Sequence, residues 1–383
     1  MKFKIDSKEF ADMVATAAQA ISGKPILPAY ECVFVRVTSE TGSPIMTILG
    51  KDAGIAIMKS TDRIVAIEDG EALIPAKTLL AFLKLMNGEM TVEVDNRFKC
   101  QMKCGSKKTS IQCMNTEDYV SEFMEQKDAK AVRMSGDDFE RMVVTTIHCV
   151  SADESRIALT GIHFAFDAEQ GICEAVTLDG FRLALCRKPA ETNDTFEVTI
   201  PATAAKLIAK SVKGREDVSF RFGNGTVIMD DFDTSIEASL LSGEYIAYKH
   251  LLVKDGKMQA LVNTQDMIEA TKLCRIAADT AKKELILLNF EHESIMRVTA
   301  NCELSEAVID VSCDTNGQMD DANGIQEIAF NGRYIEDALK ASEEYAGEVT
   351  LLMNTTVSPM AIMPVNRDDY YQLVLPVRRL NGN

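Results

Sequence analysis

Short runs of alternating apolar and polar residues recur along the chain, each ended by a capping residue and followed by apolar positions at helical spacing. The first set is Phe3–Phe10 (FKIDSKEF), Val132–Phe139 (VRMSGDDF) and Ala260–Met267 (ALVNTQDM). Alternation predicts a strand, and the capping residue with an acidic first turn predicts a helix start. The predicted helices carry apolar stripes: Phe10, Met13, Val14, Ala17 and Ile21; Phe139, Met142, Val143, Ile147 and Val150; Met267, Ala270, Cys274 and Ala277. Each helix therefore buries one face. Ile5, Met134 and Val262 correspond, at an interval of about 128 residues.

A second strand–break–helix set falls between these, at Ala72–Leu79, Val198–Ala205 and Glu327–Tyr334. Pro75 and Pro201 stand near the first helical turn, where a missing N–H costs nothing. Late strands begin at Val92, Val218 and Val349, with hairpin turns at Gly223-Asn-Gly225 and Asn354-Thr-Thr356. The glycines of FGNGTV would suit a phosphate loop if a helix opened there, but a strand follows, so the segment reads as a hairpin. The predicted architecture is α+β: three repeated domains, each with two helices packed on antiparallel sheets. Their expected limits are 1–128, 129–254 and 255–383, with charged linkers at 125–130 and 253–257.

Composition sharpens this picture. The 383 residues are too many for one ordinary core, which agrees with several domains. No segment approaches the roughly 20 unbroken apolar residues of a membrane helix. The first ten residues, MKFKIDSKEF, turn polar too early for a secretory signal, so a cytoplasmic location is expected. The 10 cysteines are expected to be reduced core residues. Cys100 and Cys104 share a strand face without a completing ligand, so no metal and no cofactor is expected. The four histidines, His148, His163, His250 and His292, show no metal-ligand spacing, and no nucleophile elbow or nucleotide loop is present. No catalytic residue is assigned.

The net charge of −17 argues against nucleic acid only if the charge is evenly spread. It is not. Lys206, Lys210 and Lys213 fall at i, i+4 and i+7 on one predicted helix, followed by Arg215. Lys77 and Lys84 repeat the spacing in the first domain, and Lys272 and Arg275 lie on a helix of the third. Acids crowd loops and strands instead. Without Trp or any base-reading module, DNA contacts should go to the backbone, indifferent to sequence.

Five segments carry a family likeness. Val176–Ala184 (VTLDGFRLA) resembles the A-T-D-G-H-R-L-A segment of the bacterial sliding clamp, the β subunit of DNA polymerase III, and Tyr371–Arg378 (YQLVLPVR) resembles its closing Y-V-V-M-P-M-R. Gly23–Pro28, Arg156–Ile162 and Phe330–Tyr334 are similar to its G-[RK]-x-x-L-P, R-x-x-L-x-G-[MI] and F-N-x-x-Y. The likeness runs through the whole chain in register with the repeat. It implies a head-to-tail homodimeric ring around double-stranded DNA, opened by a clamp loader and tethering the polymerase III catalytic subunit. Repair polymerases, ligase and mismatch-repair proteins are further implied partners. Lys24 joins the lysines and arginines above as an implied DNA contact.

The resemblance further implies a pocket for partner segments of the Q-L-x-L-F kind. Its matching positions are Leu159, Leu178, Gly180, Arg182 and Leu183, then Ile246, His250 and Leu251. The third domain supplies Ser358, Leu373, Leu375, Pro376, Val377 and Arg378. Leu178, Phe181 and His250 depart from the usual Thr, His and Arg, which bears on the preferred partner motif. Residues 379–383 run past the family's usual end. At the implied seam, Lys107, Lys108, Thr109 and Ile111 should face Ala278 and Asp279, an interface expected to be salt-sensitive. Two other classes remain open: a DNA-binding regulator of the same fold, and an enzyme whose site is not visible in the sequence.

Overall fold

The computed structural model describes residues 1–383 except 24–26, 40–41, 118, 125, 254, 279–283, 322–323, 325 and 379–383. Lys24, Asp279 and the C-terminal extension therefore lie outside the described residues. Among the described residues, six α-helices stand where the pattern predicts them: α1 (Ser7–Ala17), α2 (Ala76–Leu83), α3 (Gly136–Thr146), α4 (Ala202–Val212), α5 (Thr264–Ala277) and α6 (Gly332–Glu343). The odd-numbered helices start alike. Asp6, Ser135 and Asn263 each accept hydrogen bonds from backbone N–H groups of the first turn, satisfying donors that have no partner inside the helix. Pro75 and Pro201 occupy the equivalent place before α2 and α4, while Asn331 caps α6 with its side chain.

Compactness divides the chain into two units, Met1–Arg133 with Arg215–Leu240, and Met134–Gly214 with Leu241–Asn383. In the first unit, α1 and α2 pack together over a core of Phe3, Phe10, Val33, Ile48, Ile74 and Leu79. One of its sheets runs Val65–Glu68, Lys2–Asp6, Glu89–Val94, Lys99–Cys104, Lys107–Gln112. In another, Ile55–Thr61 of the first repeat pairs antiparallel with Thr234–Ser239 of the second. That ladder is why the hairpins of residues 215–240 belong to this unit. The turn Asn224-Gly225 is a hairpin, with φ of +52° and +74° at its two central residues.

The second unit holds α3 on α4 and α5 on α6 against one sheet of 12 strands. The repeats within it join at the ladder between Arg182–Pro189 and Tyr370–Val374, in which Leu183 faces Leu373. Strand partners correct one reading of the repeat. Met90 faces Ile5 as Val349 faces Val262, so Met90 and not Val92 is the counterpart of Val349. A shift of two residues keeps the same sheet face, which is why the alternation alone did not expose it.

All 10 cysteines are free thiols; Cys100 and Cys104 both point into the core. Among the described residues, no group of acids, histidines and cysteines is arranged to hold a metal, and no helix is long and apolar enough to cross a membrane.

Candidate partner-peptide site and basic helices

The second unit carries the peptide-site candidates around the ladder that joins its two repeats. Leu178 ends the strand Ile172–Leu178, and the chain reverses through Asp179-Gly180 into Arg182–Pro189. Gly180 has φ of +90°, which a side chain would strain. Asp179 Oδ1 accepts from the N–H groups of Phe181 and Arg182 at 2.9 and 3.0 Å, closing the turn. The Arg182 guanidinium donates to Asp179 at 3.0 Å and to Asp337 of α6 at 2.8 Å, and lies 4.3 Å from the centre of the Tyr334 ring. Arg182 is thus a brace between strand and helix, and its charge is already compensated.

Leu178, Leu183 and Leu373 form a buried floor with Leu159, joined by Tyr248 and Ala361. Around it, apolar side chains remain in solvent: Ile246, Leu251, Leu375 and Phe181 are 38, 45, 37 and 56% exposed. The Leu375 N–H donates to the Phe181 carbonyl at 2.8 Å and the Val377 N–H to the Ala329 carbonyl at 2.8 Å, fixing the segment that contains Pro376 and Arg378. Ser358 Oγ instead accepts from the Thr355 N–H at 2.8 Å, shaping its own loop. An apolar floor with an apolar, solvent-exposed rim is suited to leucine and aromatic anchors of a peptide. The equivalent junction in the first unit differs at the strand pair itself: Ala56 faces Glu237, whose carboxylate accepts from the Met124 N–H at 2.7 Å.

Behind this floor lies a buried polar pair. Gln372 donates to the Ala338 carbonyl at 2.5 Å and to Ser342 at 2.8 Å, so its Oε1 accepts from His148 Nε2 at 2.9 Å. Burial, together with the nearby Arg182 charge, lowers the His148 pKa to about 4. Below the ordinary histidine pKa the unfolded chain then binds a proton that the folded chain refuses. Stability falls as pH drops from about 6.5 towards 4, by up to about 3 kcal/mol from this residue. Urea midpoints at pH 7 and 4.5 should differ less in His148→Gln than in wild type; equal differences would remove His148 as a cause.

The basic candidates separate into two groups. Lys77, Lys84, Lys206, Lys210 and Lys272 are exposed on α2, just after α2, on α4 and on α5. Lys213, at the end of α4, is 3.0 Å from Glu140, and Arg215 is 3.0 Å from Asp231. Arg275 is bound to Glu284 and Glu336, so it braces α5 against α6. The seam candidates also divide. Lys107 and Lys108 are exposed, Thr109 is half-buried, and Ile111 and Ala278 face the cores of their own units. The sequence reading missed the exposed apolar residues near these elements: Leu85 after α2, Leu273 and Ile276 on α5, and Leu304, at 70, 54, 81 and 95% exposure. Leu273 and Ile276 lie off the buried stripe of α5, and that departure from the helical period was their signal.

Three family models match in sequence order: the DNA polymerase III beta subunit N-terminal domain over residues 1–122, its central domain over 133–246 and its C-terminal domain over 249–378. The beta sliding clamp of Bacillus subtilis (strain 168) is 22% identical over 389 residues, covering 99% of this chain and 100% of the relative. That of Staphylococcus epidermidis is 24% identical over 388 residues, covering 99% of each. Among solved structures, the B. subtilis sliding clamp aligns with a TM-score of 0.91 at 19% identity, over 99% of this chain and 100% of that one. A Pseudomonas aeruginosa clamp bound to griselimycin aligns with a TM-score of 0.88 at 20% identity and the same coverage.

Proposed function

Because the chain belongs to the DNA polymerase III beta-subunit family, it is a DNA sliding clamp, a processivity factor without catalytic activity, and we propose that two copies close head to tail around duplex DNA. The observation that carries the ring is a junction made twice within the chain. Strand 55–61 pairs with 234–239, and strand 182–189 with 370–374, each joining one repeat to the next. Followed strand by strand from the helix starts, Ala56 and Leu183 are counterparts, as are Glu237 and Leu373. Each pair is directly opposed, so both junctions share one register. The third junction is open at both ends. Among the described residues, 306–312 pair on one side only, with Ile295–Asn301, and Lys107–Gln112 ends its sheet.

Glu306 is the third repeat's counterpart of Leu183, and Ser110 the first repeat's counterpart of Leu373. Closing the ring in the same register sets Glu306 of one copy opposite Ser110 of the other, Ala307 opposite Thr109, and Val308 opposite Lys108. Lys108 then lies diagonal to Glu306, a favourable charge pair. Leu85 on one side and Leu273, Ile276 and Leu304 on the other supply the apolar contact.

The helices of all six domains line the channel. Lys77, Lys84, Lys206, Lys210 and Lys272 meet phosphates without reading bases, while the acidic remainder of the ring repels stray DNA. The pocket on the second unit holds the polymerase, raising its effective concentration at the primer end. The clamp loader, repair polymerases, ligase and mismatch-repair proteins compete for it through similar segments.

The ring is tested with Thr109→Cys and Ala307→Cys in one chain. Mild oxidation should give covalently closed dimers that stay on circular DNA through a high-salt wash, and neither single variant should crosslink. Efficient crosslinking of Lys107→Cys with Ala307→Cys instead would mean a slipped register. No crosslink from either pair would show that these edges do not meet.

A further inference from the structure

The linker that forms one wall of the peptide pocket is fastened to the sheet by a buried polar cluster. Along residues 245–253 the side chains divide. Ile246 and Leu251 are 38 and 45% exposed, while Tyr248, at 4% exposure, turns inward and Tyr245, Leu252 and Val253 are part-buried against the same cluster as the floor. Tyr248 OH donates to Glu174 Oε2 at 2.5 Å, and Tyr245 OH donates to the Val176 carbonyl at 3.3 Å. The Tyr245 ring stacks on the His163 imidazole at 4.2 Å and 6°, and the Tyr248 ring meets the same imidazole edge-on at 6.1 Å.

His163 is 4% exposed, and its Nδ1 is 3.1 Å from Thr199 Oγ1 and its Nε2 3.4 Å from Glu197. Glu174 is 7% exposed and also accepts from Arg187 Nε at 2.6 Å, with Lys249 Nζ at 3.7 Å. Glu174, Val176 and Leu178 alternate along one strand, so the anchors and the pocket floor share a rigid face.

We propose that His163 and Glu174 are positioning residues for partner binding, holding the linker so that Ile246 and Leu251 stand at the pocket, and that protonation of His163 loosens this hold. The inference rests on the pocket reading above. The groups facing His163 are Glu197 and Thr199 from one neighbouring strand, Glu174 from the other, and Tyr245, Tyr248 and Lys249 from the linker, with Arg187 behind Glu174. Burial keeps the imidazole neutral below its usual pKa, although Glu197 and Glu174 pull the other way. Burial also pushes the Glu174 carboxyl up, but the bonds from Tyr248 and Arg187 leave it below its usual value, so it stays ionised.

The sign follows. The seated linker favours neutral His163, and a lifted linker exposes the imidazole to water, where it charges at its ordinary pKa. Acidification below about 6.5 therefore favours the lifted linker and weakens the pocket; each unit between the two pKa values is a factor of up to about ten.

The test titrates an acetyl-Gln-Leu-Ser-Leu-Phe-amide peptide, labelled, into the full chain at pH 7.5 and 5.5. Wild type should lose affinity on acidification by roughly fivefold more than His163→Phe, which keeps the stacked ring but takes no proton. His163→Gln, which can still bond Thr199 but loses the stacked ring, should bind more weakly than wild type at pH 7.5 and also lack the pH dependence. Glu174→Leu should weaken binding at both pH values, whereas Glu174→Gln, still able to accept from Tyr248, should recover most of it. A merely structural histidine would change melting temperature and leave the pH profile of affinity alone. If wild type binds and all variants share its profile, this inference falls and the pocket stands. If wild type does not bind at pH 7.5, the pocket reading falls and takes this one with it.

Discussion

Replacing Leu183 and Leu375 with alanine is expected to cost the protein roughly a hundredfold or more in affinity for a Gln-Leu-Ser-Leu-Phe peptide, for which wild type should show micromolar affinity. Truncating either leucine should remove about 1.5 kcal/mol or more of binding, Leu375 by losing contact with a buried anchor and Leu183 by reshaping the floor beneath it. The two residues contribute differently. Leu375 is 37% exposed, so truncating it should change the pocket with little effect on folding. Leu183 is 2% exposed and packs against Leu373 and Leu185, so truncating it also opens a cavity costing about 2 kcal/mol or more of stability. Fluorescence anisotropy, with a urea melt of each single variant, separates the effects. Loss of binding by Leu375→Ala at unchanged stability assigns the rim to the partner. Unchanged affinity in the double variant would place the partner elsewhere.

The repeat was legible because it is a matter of period. Alternation at Phe3–Ile5, Val132–Met134 and Ala260–Val262, followed by capped helical stripes, reports sheet face and helix face directly. Register was not legible. Val92 and Met90 lie on the same face, so only ladder partners distinguish them. The floor of the candidate pocket could be named from the resemblance, but buried and exposed positions could not be told apart: Leu183 and Leu375 read alike as leucines in strand-like runs. Their difference in exposure arises from pairing across residues about 190 apart in sequence.

Charge was legible as location but not as commitment. Arg275 sits on a helix with Lys272 and reads like a phosphate contact, yet its guanidinium is spent on Glu284 and Glu336. Glu284 lies on no shared periodic element with Arg275, so the pairing leaves no pattern in sequence. The same holds for His163, which reads as one of four scattered histidines. Only the fold stacks it under Tyr245.

Introducing Leu273→Asp with Ile276→Asp is expected to turn the ring into monomers, weakening self-association by about a thousandfold or more. The two side chains are 54 and 81% exposed on α5, so the substitutions sit outside both cores and should leave each unit folded. In the closed ring they would place two carboxylates against apolar surface near Leu85, where an unpaired buried charge costs several kcal/mol. Sedimentation at micromolar concentration reads the dimer, and retention on nicked circular DNA after a salt wash reads closure. Wild type should itself dissociate more readily as salt rises, because the proposed closure would set Lys107 and Lys108 against a strand bearing Glu306 and Asp310. Lys108→Glu should invert that dependence, with high salt screening a repulsion instead of an attraction. A dimer that survives both aspartates would move the apolar part of the seam away from α5. A dimer indifferent to salt in wild type and Lys108→Glu alike would remove the charge pair and leave strand pairing and apolar contact as its whole basis.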